Sequence, residues 1–227
     1  MCKNKAEKNL DTIISQIEQA RLEVSAHHIV NLVAISKYNT CEDIKELYLA
    51  GQRAFGENKV QDLKTKMQEL ESLPIAWHFV GHLQKNKISA LIELEPYLFH
   101  GLDSLELAYE LNKKLEMKDK NMACLLQVNS SYEQSKSGFN PKDCLDAYRD
   151  IQKSCPKIHL QGLMCIGANS KNQDEVKKSF LLTKELFEET KKEFNAKICS
   201  MGMSNDFQEA IKYGSNMLRI GSSLFKD

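Results

Sequence analysis

Short apolar runs alternate with longer amphipathic stretches along nearly the whole of this chain, and that rhythm constrains its fold more than any other feature. The runs are NLVAIS (31–36), QRAFG (52–56), AWHFVG (76–81), YLFHGLD (97–103), MACLLQVN (122–129), IHLQGLMCIG (158–167), KICSMG (197–202) and NMLRIG (216–221). They read as nearly continuous apolar segments, the pattern of parallel strands buried on both faces. Between them lie stretches with helical periodicity. One opens at Thr40 with Asp43 as a capping-box partner, and others cover about 58–71 and 84–93. Further helices start at Ser104 and Pro141, and one spans 172–194, where Val176, Phe180, Phe187 and Phe194 share a face; the last covers 205–213. Strand-helix alternation predicts a parallel α/β sheet. Eight units within 227 residues fit a compact (β/α)8 TIM barrel. An open doubly wound sheet is the alternative, but no G-x-G-x-x-G turn follows the first run. Leu10, Ile13, Ile14, Ile17 and Val24 recur at helical spacing and predict an extra N-terminal helix, within 1–28, packed on the barrel. No repeat or Pro/Gly-rich linker interrupts the chain, so a single domain over 1–227 is expected.

Charge and cysteine usage narrow the function classes. Thirty-one basic residues balance thirty-one acidic ones, which argues against a nucleic-acid binder. No apolar run is long enough to span a membrane, and the first residues, MCKNKAEKNL, do not read as a secretory signal. The seven cysteines are odd in number, scattered and free of C-x-x-C spacing, which suits a reduced, cytoplasmic protein. His78 and His82 form an H-x-x-x-H pair, but on a strand and its turn rather than on one helix, so no metal site is expected.

In such a barrel, ligand-facing groups come from the C-terminal ends of strands and the loops after them. Lys37 follows the first run directly, and its ammonium stands at the barrel mouth. A lysine partly desolvated there can form a Schiff base with a carbonyl compound, although most lysines are merely solvated charges. Asn58, Gly81 and His82 end the second and third units. Two glycine-serine turns, Gly202–Ser204 and Gly221–Ser223, end the last two runs, where barrels commonly hold a phosphate. Ser204 is placed to cap a helix starting near Asn205, and Ser222 and Ser223 offer further hydroxyls. Arg219, inside an apolar run, needs an acceptor if it points inward. A strand-end lysine, a phosphate cup and a buried arginine beside it describe a site for an aldehyde that carries a phosphate.

The segments VAISKYNT, AFGENKVQD, WHFVGHLQKNK, QSKSGF, LQGLMCIG, SMGMSNDFQEAI and MLRIGSSLF, in this order, closely resemble the pyridoxal phosphate homeostasis protein family, single-domain barrels related to the N-terminal half of alanine racemase. The resemblance implies that Lys37 forms the internal aldimine with pyridoxal 5′-phosphate. It implies that Ser204, Gly221 and Ser222 hold the phosphate, with backbone from Met203 helping. It places Arg219 at the pyridine nitrogen and Asn58 beside the cofactor. His82, from its place after the third run rather than from the resemblance, is expected to face the pocket, although a packed or solvated histidine is the commoner case. Cys165 stands where the family often has threonine, and GANS (167–170) is more polar than usual. An arginine at the ring nitrogen weakens the ring as an electron sink, and racemases offset this with a tyrosine from another domain. Only six residues follow Gly221, so no such domain is expected, and neither Tyr38 nor Tyr132 lies at a position the family uses for catalysis. The expected role is a reversible Schiff-base carrier that buffers or delivers the cofactor, with PLP-dependent apo-enzymes as partners and a monomeric or weakly dimeric state. No catalytic residue is assigned, and the alternative is a slow amino-acid racemase.

Overall fold

The computed structural model describes residues 4–133, 136–168 and 172–225. Parts of QSKSGF (134–139) and GANS (167–170), together with Cys2, lie outside the described residues. Eight parallel strands close in chain order into one barrel: β1 (Asn31–Ile35), β2 (Ala54–Glu57), β3 (Ala76–Phe79), β4 (Leu98–Leu102), β5 (Met122–Val128), β6 (Ile158–Cys165), β7 (Ile198–Ser200) and β8 (Met217–Ile220). β8 returns to pair with β1, with Val33 opposite Arg219, so the first and last ligand-bearing strands are neighbours. The open-sheet alternative is excluded by this closure.

The expected helices form around the barrel. α1 (Lys5–Val24) begins with a reciprocal cap between Asn4 and Glu7, and buries Leu10, Ile13, Ile17 and Ala20. It lies in the outer layer against α2 (Cys41–Leu49), α8 (Phe207–Lys212) and α9 (Ser222–Phe225). The predicted Thr40–Asp43 box is present at the start of α2, as are the caps of α5 (Leu105–Met117) by Ser104 and α7 (Gln173–Phe194) by Asn172. α3 (Val60–Glu69), α4 (Ile88–Leu94) and α6 (Cys144–Ser154) complete the layer, the last two each preceded by a single tighter turn. One expectation fails: Ser204 does not cap α8. Met203 N–H donates to Asp206 Oδ1 at 2.6 Å, and the Met203 carbonyl accepts from both Asp206 and Phe207. That tight turn delays the helix to Phe207 and makes Asp206 its N-cap.

Side chains divide by strand parity into two cores. Ala34, Phe55, Trp77, Phe79, Phe99, Leu218 and Ile220 face outward and join the main apolar layer under the helices. Val33, Ile35, Leu98, Leu125, Met164 and Met217 fill the barrel. His78, His100, Ser200 and Arg219, on β3, β4, β7 and β8, are buried with them. The barrel interior is therefore partly polar, and that polar part leads to the site.

Candidate functional site at the barrel mouth

A cavity of about 950 Å³ opens at the C-terminal ends of the strands. Its lining includes Lys37, Asn58, Met203, Ser204, Arg219, Gly221 and Ser222, brought together from the ends of β1, β2, β7 and β8. His82 is not among its lining residues. Its Nδ1 instead meets Asp103 Oδ2 at 2.8 Å, and its side chain is 62% exposed, turned away because the acid after β4 holds it. Gly202 and Ser223 also fall outside the lining.

Lys37 is exposed at the cavity wall rather than desolvated, while the backbone beneath it is held firmly. Ser36 is fully buried; its hydroxyl donates to Glu57 Oε1 at 2.6 Å, and Lys66 Nζ donates to the Ser36 carbonyl at 2.8 Å. Lys66 also pairs with Glu57 Oε1 at 2.6 Å. Asn39 N–H closes a turn onto the Ser36 carbonyl at 3.0 Å, and Tyr38 within that turn takes a φ of 72°. A left-handed tyrosine is uncommon. Here it leaves the ring 86% exposed, with its centroid 5.7 Å from Lys37 Nζ.

The two glycine-serine turns meet as one cup. Ser223 N–H donates to Ser204 Oγ at 3.4 Å, tying the β8 turn to the β7 turn. The backbone N–H groups of Ser204, Asn205 and Ser222 donate to no protein acceptor among the described residues. Clustered free N–H groups and hydroxyls favour an anion. Gly202 supports this cup from behind: its φ is 96°, and a Cβ there would sit 2.7 Å from that of Ala210.

Arg219 is 6% exposed and still reaches the cavity wall. Its Nη1 donates to Ser200 Oγ at 2.7 Å and its Nη2 to the Cys165 carbonyl at 2.8 Å. Both acceptors are neutral. Burial lowers its pKa, while a guanidinium remains charged throughout the working range. Two of its five N–H groups are thus committed on the protein side. A ligand atom facing the rest must be an acceptor, because arginine has no lone pair to offer. Asn58 adds the complementary function at another point of the wall: its side-chain oxygen is buried and has no hydrogen-bond partner.

Several contributors were not singled out from sequence. Lys136, within QSKSGF, lines the cavity and is clamped to Glu133 at 2.7 Å and to the Gly167 carbonyl at 2.8 Å. Asp206 also lines it, and burial raises its carboxyl pKa, partly offset by the Met203 N–H and Arg219. Both lie in segments whose motif was visible but whose side-chain direction was not. Ser36, Glu57 and Lys66 left no signal beyond being polar residues at strand ends and on a helix.

A closed parallel barrel with a strand-end lysine, an anion cup and an acceptor-seeking arginine is the architecture of one cofactor-binding class. Residues 8–227 match the family model of the alanine racemase N-terminal domain. A Helicobacter pylori protein named pyridoxal phosphate homeostasis protein is 53% identical over 220 residues, covering 97% of this chain and 98% of that one. The solved structure of PipY from Synechococcus elongatus without PLP superposes with a TM-score of 0.86 at 30% identity, covering 98% of this chain and 100% of that one. PipY with PLP bound gives a TM-score of 0.82 at 29% identity, covering 97% and 100%. The chain belongs to the pyridoxal phosphate homeostasis protein family.

Proposed function

We propose that this chain, as one barrel unit over 1–227, binds pyridoxal 5′-phosphate as a reversible Schiff base on Lys37 and serves to buffer the cofactor or deliver it to PLP-dependent apo-enzymes. The observation that carries this reading is the buried Arg219, which lines the cavity and whose hydrogen bonds to the protein go to neutral acceptors. It suits an unprotonated pyridine nitrogen and no protonated one. When bound, the cofactor supplies an aldehyde for an amine and a ring able to take up electron density.

The chain's own residues have separable parts. Lys37 supplies the amine, and the Ser36–Glu57–Lys66 cluster fixes the backbone it springs from. Ser204 and Ser222, at the Gly221 turn, hold the phosphate through their hydroxyls and, with Asn205, through free backbone N–H groups, whereas the Met203 backbone, expected to help, spends its N–H on Asp206 Oδ1. Asn58 offers its unpartnered oxygen to a ring hydroxyl. Buried free cysteines suit a reducing compartment, and no helix among the described residues is long and apolar enough to cross a membrane.

The test is reconstitution of purified protein with pyridoxal 5′-phosphate, followed by absorption spectroscopy, borohydride reduction and a peptide map. A Schiff-base band that disappears on reduction, with the label on Lys37, is expected. Absence of a band, or a label elsewhere, overturns the reading.

A further inference from the structure

Behind Arg219, a column of polar side chains runs through the barrel away from the cavity. Arg219 Nη1 donates to Ser200 Oγ at 2.7 Å, and Ser200 Oγ lies 3.4 Å from His100 Nδ1. His100 Nε2 lies 2.9 Å from His78 Nδ1, and the Tyr97 ring stands 5.4 Å beyond His78. Ser200 and His100 are fully buried and His78 nearly so. Among the described residues, no carboxylate hydrogen-bonds to this column.

The donors in such a column cannot be arranged freely. A guanidinium only donates, so the Ser200 oxygen must accept. His100 Nδ1 is the sole acceptor within reach of the Ser200 hydroxyl hydrogen among the described residues, and it takes that hydrogen only by presenting a lone pair. In a neutral imidazole that puts the His100 proton on Nε2, where it donates to His78 Nδ1, and leaves the His78 proton on its own Nε2. Every hydrogen bond points away from the cavity, with the direction set at Arg219. A proton on Nδ1 of a neutral His100 would make Ser200 a double acceptor and leave its buried hydroxyl hydrogen with no acceptor among the described residues, and an imidazolium would add a second buried charge beside Arg219. Burial opposes this by lowering the pKa of both imidazoles, that of His78 to about 4.

We propose that His100, seated on His78, is a positioning residue for Arg219: it holds the Ser200 hydroxyl as an acceptor, and so sets the direction in which the guanidinium presents its free N–H groups to a bound ring. The ring rests on the function proposed above; the tautomers do not. Two histidines serving merely as core filling would tolerate an apolar replacement with no effect on what Arg219 offers a ligand.

Two measurements test this. In cofactor-free full-length protein at about neutral pH, side-chain nitrogen NMR is expected to show His78 and His100 neutral and protonated on Nε2. An Nδ1–H tautomer or an imidazolium at His100 overturns the column. Ser200→Ala removes the first link and is expected to abolish the His100 tautomer preference, and an unchanged preference also counts against the proposal. In protein loaded with pyridoxal 5′-phosphate, His100→Leu is expected to move the pH midpoint of the Schiff-base band by at least about half a unit, with affinity held within about tenfold. His100→Asn, which keeps an acceptor toward Ser200, is expected to restore the wild-type midpoint. A wild-type midpoint in His100→Leu, or loss of binding in both variants, overturns the positioning role. If His100→Leu does not fold, Ser200→Ala is read by the same band and midpoint. Failure of wild-type protein to show any band would instead refute the proposed function, and the NMR would still judge the column.

Discussion

Acidification probes the buried imidazole pair through stability alone. His78 is 2% exposed, and burial brings its pKa from an ordinary 6.5 to about 4. His100 moves the same way, through burial first and then through His78 and Arg219. In the unfolded chain each imidazole takes up a proton near its ordinary value. Between the two pKa values the unfolded state holds more protons than the native state, so stability is full above about pH 6.5 and falls as the pH drops toward 4. For His78 alone, going from about pH 7 to about pH 4.5 costs roughly 2.4 kcal/mol, with a limiting slope near ~1.4 kcal/mol per pH unit. Urea unfolding of the wild type and of His78→Gln at several pH values isolates this contribution, since the titrating carboxylates are common to both. The variant is expected to lose about 2 kcal/mol less on acidification, whatever its stability at neutral pH. Parallel stability curves would refute the claim that His78 is kept neutral by burial.

Other outcomes follow from single contacts. Gly81→Ala places a Cβ 2.0 Å from the Asn58 carbonyl oxygen, so backbone must move; a stability loss above about 2 kcal/mol in urea and weakened cofactor binding are expected, and a neutral result would contradict the geometry. Thr40→Ala removes the side-chain half of the α2 cap, leaving the backbone N–H of residue 40 on Asp43, and should cost about 1 kcal/mol by the same assay. Arg219→Gln is expected to change the Schiff-base spectrum while the phosphate cup still binds cofactor, and an unchanged spectrum would mean that Arg219 does not face the ring. The six described cysteines are buried, and burial pushes the thiols of Cys41 and Cys144 up to about 11 and 12. Native protein should therefore show no more than one thiol that reacts quickly with an aromatic disulfide, and two or more would contradict the packing.

Much of the barrel was legible because strand and helix periods are local properties. Apolar runs such as MACLLQV could be recognised without knowing their partners, and the Thr40 cap needs only residues three apart. The cavity positions were legible for a related reason: in a parallel barrel every strand ends at the same mouth, so a residue's place after a run assigns it to that mouth. Lys37, Asn58, Ser204, Arg219, Gly221 and Ser222 follow from that rule. It failed for His82 because a turn residue can leave the mouth when an acid from the next loop, here Asp103, captures it. The Ser204 cap failed because the Met203 carbonyl, held by the Met203–Asp206 turn, takes the Asp206 and Phe207 N–H groups that Ser204 would have capped.

The chain order alone therefore determined the succession of strands and helices, and which residues arrive at the barrel mouth, because both depend on periodicity and on position along a run. Tertiary structure alone decided what those residues meet there. Arg219, Ser200, His100 and His78 come from four strands far apart in sequence, and closure of the barrel brings their side chains into one buried column. The same closure sets β8 beside β1 and the cup beside the strand that carries Lys37. A buried charge must find its acceptors wherever packing delivers them, and no local pattern in the sequence records that choice.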